Sequence, residues 1–340
     1  MPVRIEDVAR AAGVSTATVS RALRGLPSVS AETQQAVRRA AADLGYVVSR
    51  SASSLASGRT MTVGVVTPYV SRWYYATLIE AVERELRNVG YDALLVGVGE
   101  SMTGAVEPFR PEVLRGRVDG LVILTAPLSG QELDGVRRLT VPMAFVGAGT
   151  AGTMSVRVDD LSIGRSATEH LIELGHRKIA YVGGDPADQR NLAAPLDRRA
   201  GWLFALRQAG VEPPPAYAEI SDFTASTGRQ ATERLLALKD PPTAVFAASD
   251  DIAFGVLSAA RAAGVDVPCG LSVIGVDDHE LSETLGLTTI AQPVAEQGRV
   301  AAQLVLGVIG GDPSRRHEHL VMDTTLRLRG STAQIGTMVP

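Results

Sequence analysis

Arginine is the residue through which this sequence could do its most distinctive chemistry. Arg4, Arg10, Arg21, Arg24, Arg38, Arg39, Arg50 and Arg59 all fall within the first sixty residues, opposed there only by Glu6, Asp7, Glu32 and Asp43, so that segment carries +4. The rest of the chain holds 25 basic and 33 acidic side chains and carries −8. The net charge of −4 therefore conceals a basic segment attached to an acidic body. Local field governs encounter with a charged partner more than the sum does, so this asymmetry is the one expected when one module meets phosphate and the other repels it. Catalytic constellations are missing from the sequence. It contains no Gly-x-x-x-x-Gly-Lys-Ser/Thr phosphate loop, no Gly-x-Ser-x-Gly elbow and no His-Glu-x-x-His. His317 and His319 flank Glu318, a pattern that reads first as a solvated face, so neither a metal nor a cofactor is expected.

The elements that would carry the arginines are short helices. Ile5, Val8, Ala9 and Ala12 follow helical spacing and Gly13 interrupts them, predicting a helix over 5–12. Ser15 is a good N-cap for a second helix over about 16–23, and Ser30 for a third that carries Val37, Ala40, Ala41 and Leu44 and ends at Gly45. Two short helices sharing one turn, braced by a third, read as a helix-turn-helix. In that motif the second helix enters the major groove and its outward N-terminal residues, here Thr16, Ala17 and Arg21, reach base edges. The plainer alternative is a small helical bundle with surface arginines.

The stretch Ile5-Glu-Asp-Val-Ala-Arg-Ala-Ala-Gly-Val-Ser-Thr-Ala-Thr-Val-Ser-Arg21 closely resembles the headpiece of the LacI/GalR family of bacterial repressors. The resemblance continues through His170-Leu-Ile-Glu-Leu-Gly-His-Arg-Lys-Ile-Ala180 and Ser272-Val-Ile-Gly-Val-Asp-Asp278, covering nearly the whole chain. It implies that Thr16, Ala17 and Arg21 read bases, with Ile5 nearby. Arg21 suits a guanine, to which a guanidinium donates two parallel hydrogen bonds, while Thr16 and Ala17 offer mainly methyl contact. Ser15, Thr18, Ser30, Thr33 and Tyr46 fall where family members touch phosphates, contacts that position without specifying. The serine-rich stretch from Tyr46 to Arg59 would in isolation be a flexible linker. The resemblance makes it a hinge whose Leu55 wedges between central base pairs from the minor groove, unless that leucine merely anchors the linker to the body. Val48, Ser49 and Arg24 stand where relatives usually have proline, asparagine and asparagine.

From Thr62 the chain alternates apolar runs with amphipathic stretches. Buried strands are predicted at 62–67, 93–98, 120–125, 142–147, 178–183, 243–248 and 271–276. So many strands imply two lobes of parallel sheet, divided near residue 160 with returns near 290 and 320, and a ligand cleft at the carboxyl ends of the strands. The family's architecture is the same: an all-α helix-turn-helix headpiece (1–45), a hinge (46–61) and an α/β, two-lobed periplasmic-binding-protein-like domain (62–340). Polar and aromatic residues gather at the strand ends. Trp73, Tyr74 and Tyr75 follow the first strand in a chain only 4% aromatic, and aromatic faces suit the C–H faces of sugars. Ser249 and Asp250 end another strand. By resemblance Arg198 is the ligand-binding arginine, Asp277 an acceptor for sugar hydroxyls and Phe223 an aromatic against the ligand. The family's acid on the fourth strand is replaced by Gly147. A structural ion pair is the alternative for Arg198 and Asp277, and a dimer contact for Trp73.

Hydrophobic residues at 45% and charged residues at 21% describe an ordinary globular composition, and 340 residues call for more than one core. Cys269 alone cannot form an internal disulfide, and no apolar stretch approaches the roughly 18 residues that span a bilayer. With no signal-peptide pattern at its start, the expected compartment is the cytoplasm, without membrane contact. The last residues lack leucine heptads, so a homodimer is expected. These features together lead to a ligand-responsive regulator that binds double-stranded, near-palindromic operator DNA and a small-molecule effector, a sugar or sugar derivative. A cytoplasmic sugar-binding module without operator function, and an enzyme acting on a sugar phosphate, are the competing readings.

Overall fold

The computed structural model describes residues 3–23, 27–46, 59–100, 106–107, 109–126, 128–147, 149, 152–185 and 193–336. The chain divides into two units, residues 1–60 and 61–340.

The first unit holds α1 (Ile5–Ala12), α2 (Thr16–Leu23) and α3 (Ala31–Leu44). Their boundaries follow from local chemistry. Gly13 ends α1 in the left-handed conformation at φ 66°, which a residue without Cβ adopts freely. The Ser15 hydroxyl then accepts the Thr18 N–H at 3.1 Å, and Ser30 accepts that of Thr33 at 3.3 Å, satisfying N–H groups that helix starts leave unpaired. Val8, Ala9, Val19, Ala22, Val37 and Ala41 form the core. Ala22 is fully buried among them, and Leu23 packs half-buried against the same core.

The second unit is an α/β structure of two lobes. The chain first runs β1 (Thr62–Thr67), α4 (Trp73–Asn88), β2 (Asp92–Gly97), a short hairpin β3 (Gly99–Glu100) and β4 (Val106–Glu107), β5 (Gly120–Leu124), α5 (Gly130–Arg137), β6 (Met143–Val146) and β7 (Met154–Val158). It crosses into the other lobe for α6 (Asp160–Glu173), β8 (Ile179–Gly183), α7 (Ala193–Gln208), β9 (Ala218–Ile220), α8 (Ala225–Leu236), β10 (Ala244–Ala247), α9 (Asp250–Ala262), β11 (Ser272–Asp277), α10 (Glu280–Thr284) and β12 (Thr288–Ala291). It returns for α11 (Val294–Ile309) and β13 (His319–Met322), then crosses once more to β14 (Thr325–Arg327). The sheets have matching orders, β13-β7-β6-β5-β1-β2 and β14-β12-β11-β10-β8-β9, parallel throughout except for β12 against β14.

All seven strands expected from apolar runs are present, with ends shifted by a residue or so. The hairpin β3–β4 and the strands β7, β9, β12, β13 and β14 are not among those the apolar runs mark. Three of them, β9, β13 and β14, are edge strands only three or four residues long, and β13 alternates exposed and half-buried positions, so no continuous apolar run marks them.

Two pairs of glycines let helices cross at near contact. A Cβ on Gly164 of α6 would lie 2.1 Å from the Arg198 carbonyl oxygen on α7, and one on Gly201 would lie 2.3 Å from that of Leu161. Gly228 of α8 and Gly255 of α9 repeat the device. The first crossing holds the backbone of Arg198 against the lobe's core. Beyond β14 the chain packs back onto the same lobe, where the buried Ser331 hydroxyl donates to the Val273 carbonyl at 2.6 Å and accepts the Thr288 N–H at 2.8 Å.

Candidate effector cleft and base-reading helix

The three crossings leave a cavity of about 280 Å³ between the lobes, at the carboxyl ends of both sheets. Arg198, one turn into α7, is buried at its edge. Its Nε donates to Asp160 Oδ1 at 2.8 Å and its Nη1 to the Ala248 carbonyl at 2.5 Å, so three of its five N–H donors remain for other partners. Burial opposes its charge, but the carboxylates of Asp160 and Asp277 outweigh that and hold its pKa above the usual arginine value.

Asp277 ends β11 on a strained backbone, φ 123°. Gln292 donates to its Oδ1 at 2.5 Å and is itself held by Gln297 at 3.0 Å. Burial pushes the carboxyl up to about 8, more than the Arg198 guanidinium can offset. When protonated, Asp277 can both donate to and accept from a hydroxyl. Tyr74, in the first turn of α4, has its hydroxyl bonded to Thr125, and burial raises its pKa to about 12. Phe223 sits between β9 and α8 in the left-handed region at φ 64°, unusual for so bulky a residue, with its ring against Gly184. Ser249 lines the cavity while capping α9 through the Ile252 N–H at 3.3 Å.

Of the expected cleft residues, the fold thus brings Tyr74, Arg198, Phe223, Ser249 and Asp277 to one cavity, along with Tyr75. Two others lie elsewhere. Asp250 turns into the lobe, accepting the His279 N–H at 2.9 Å and the Ser282 and Thr289 hydroxyls at 2.7 Å each, and burial pushes its carboxyl up to about 6. As the first residue of α9 it faces the sheet, and a helical step of about 100° brings Asp251 to the cavity in its place. Trp73 packs on the His279 ring with centroids 4.6 Å apart. Gly147, at φ 97°, lies beside Thr125.

Tyr69, Arg72, Thr125, Asp222, Asp251 and Gln292 also line the cavity and escaped the sequence reading. Tyr69 and Arg72 follow β1 as the aromatic triplet does, so their position after a strand was an available signal. Nothing local marks Gln292, which reaches the site only because β12 lies beside β11. His319 is engaged with Ser155 at 2.8 Å, and among the described residues no group of His, Cys, Asp and Glu is arranged to hold a metal ion. Among the described residues, no helix is long and apolar enough to cross a membrane.

In the first unit, Thr16, Ala17 and Arg21 are exposed on one face of α2. Ser15 and Thr18 pair their hydroxyls at 2.9 Å at the start of α2, and Ser30 and Thr33 do the same at the start of α3. Both pairs stand where backbone N–H groups and helix dipoles favour anions. Ile5 and Tyr46 are half-buried against the headpiece core. Leu55, Arg24, Val48 and Ser49 lie outside the described residues.

An exposed second helix in a helix-turn-helix unit, carried on the same chain as a two-lobed domain whose cleft is lined by aromatic and charged side chains, defines a ligand-responsive DNA-binding regulator. Residues 4–49 match the family of bacterial regulatory proteins described as the lacI family, and residues 168–332 match a periplasmic binding protein-like domain. The HTH-type transcriptional repressor CytR of Escherichia coli is 34% identical over 334 residues, covering 96% of each chain. Catabolite control protein A of Priestia megaterium is 32% identical, over 90% of this chain and 92% of its own. Among solved structures, the Lac repressor dimer bound to operator and an anti-inducer superposes with a TM-score of 0.84 at 29% identity, covering 98% of this chain and all of that one. The regulator CelR in complex with cellobiose gives 0.71 at 31% identity, covering 97% and 99%. The chain belongs to the LacI family of bacterial transcription regulators.

Proposed function

We propose that the protein is a dimeric, cytoplasmic repressor that grips a near-palindromic operator through paired headpieces and loosens or tightens that grip when a sugar or sugar derivative occupies the cleft. Residues 1–45 form the headpiece, 46–61 the hinge and 62–340 the effector-binding and dimerisation domain. Arg21 reads a guanine while Thr16 and Ala17 make methyl contacts, with Ile5 alongside. Ser15, Thr18, Ser30, Thr33 and Tyr46 hold phosphates, and Leu55 of the hinge wedges into the minor groove. Two-fold symmetry in the protein then requires two-fold symmetry in the DNA.

One observation carries the reading of the cleft: Arg198 and Asp277, far apart in sequence, converge at one buried edge with donors and an ionisable hydroxyl-sized partner facing the same cavity. That pairing suits vicinal hydroxyls, and the relatives solved with cellobiose and with ribose support a sugar. The protein acts by binding alone, without a catalytic step. The test is to select genomic fragments retained by the full-length protein and then screen sugars for altered retention. Retention should fall with salt along a slope of about −0.9 per phosphate contact, and one sugar should shift operator affinity by a coupling of roughly 1–3 kcal/mol. Retention without sequence preference would overturn the operator reading, and retention indifferent to every sugar would overturn the effector reading.

A further inference from the structure

The lobes are joined covalently only by the three crossings, so the balance between an open and a closed cleft rests on non-covalent contacts across it. Two such contacts spring from adjacent residues of one lobe. Arg72, the N-cap of α4, donates from Nη1 to the Asp222 carbonyl of the other lobe at 2.7 Å. Its guanidinium lies 3.7 Å over the Tyr69 ring, which restrains it before that bond forms. The Asp222 carboxylate is tied down by the hydroxyls of Thr224 at 2.7 Å and Thr227 at 2.6 Å, so the carbonyl that Arg72 reaches is also held in place. Trp73, the next residue, packs at a tilt of 34° on His279, whose ring meets the edge of Phe254 at 5.2 Å on a second side. His279 itself is fixed by accepting the Leu281 N–H at 2.9 Å. Both receiving points are thus rigid, and they are separate in the lobe: Asp222 precedes α8 and His279 precedes α10.

We infer that Arg72 and Trp73 form an interlobe clasp that favours the closed cleft before any effector binds. A protein whose binding-competent state is already populated binds with an affinity reduced only by the missing fraction, so the clasp sets the apparent affinity without touching every ligand group. The inference concerns the ligand-free protein and stands whatever the effector proves to be.

The chain supplies its own reporter, since its two tryptophans are Trp73 in the clasp and Trp202 in the lobe core. In a full-length Trp202→Phe background without ligand, Arg72→Ala is expected to move Trp73 emission to longer wavelength. Hydrogen exchange in peptides covering 222–228 and 279–285 should accelerate roughly three- to tenfold, the effect of losing one net hydrogen bond. Arg72→Lys, which keeps charge but not the planar stack on Tyr69, should fall between. Unchanged emission and exchange in Arg72→Ala, with parental circular dichroism, would overturn the clasp. If that variant fails to fold, Arg72→Lys and Trp73→Leu decide by exchange over the same peptides: acceleration at both segments supports the clasp, and parental rates refute it.

Discussion

At Asp277, burial and hydrogen bonding pull in opposite directions, and burial wins. The carboxyl titrates near 3.8 when unfolded and near 8 in the fold, so the folded state holds the proton more tightly. Stability contributed at this site is therefore greatest below about pH 4 and declines as pH rises toward 8. Asp277→Asn removes that titration, and calorimetry should find the melting temperature of the variant gaining on that of the parent between pH 4 and pH 9. Parallel curves would mean the carboxyl ionises freely. Arg21 presents the opposite case, an exposed group whose worth lies in direction. Arg21→Ala should lose about 1–3 kcal/mol of discrimination between operator and scrambled duplex while keeping most non-specific affinity, as read by competition binding. Equal losses on both duplexes would make Arg21 a phosphate contact. Among the cleft residues, Arg198 and Phe223 were marked by the family pattern. Asp250 and Trp73 were marked by their place after a strand, and the fold turned both away from the cavity because neighbouring helix positions differ by a large rotation.

Helix crossings set the next scale. By propensity alone Gly164→Ala would stabilise the interior of α6 by about 1 kcal/mol. Its Cβ would, however, meet the Arg198 carbonyl oxygen at 2.1 Å, a clash with backbone that only a shift of α7 can relieve. Overpacking of this kind costs roughly 1–3 kcal/mol, so the steric effect prevails. Urea denaturation should show Gly164→Ala less stable than the parent, and effector affinity should fall with it as Arg198 is displaced. A stabilised variant would show that the helices can separate freely. At the same scale the headpiece was the most legible part of the chain. The ends of α1, α2 and α3 are written in Gly13, Ser15, Ser30 and Gly45, whose effects act within a few residues. The interior strands were legible too, as apolar runs covered on both faces. The edge strands were not, since a half-exposed strand of three or four residues carries no periodic signature.

Across the whole molecule, buried polar links join segments remote in sequence. His176, which follows α6, is 3% exposed; its Nδ1 meets the Thr243 hydroxyl at 2.9 Å and its Nε2 meets the Ser272 hydroxyl and the Ala333 carbonyl at 3.1 Å each. Burial holds its pKa below the ordinary 6.5, so its contribution is fully present above about pH 6.5 and is lost as pH falls below that value. The urea midpoint should drop between pH 7 and pH 5, and less steeply in His176→Asn; identical slopes would remove His176 from the account. No local pattern announces such a link, nor the meeting of Gln292 with Asp277 or of Arg72 with Asp222. The sequence by itself determined the basic headpiece, its capped helices and the interior strands, because caps, spacing and apolar runs act over a few residues. Only the tertiary structure decided which acid after β10 faces the cavity, what holds Arg198 and what spans the lobes, because those outcomes depend on which strands become neighbours and how closely helices cross.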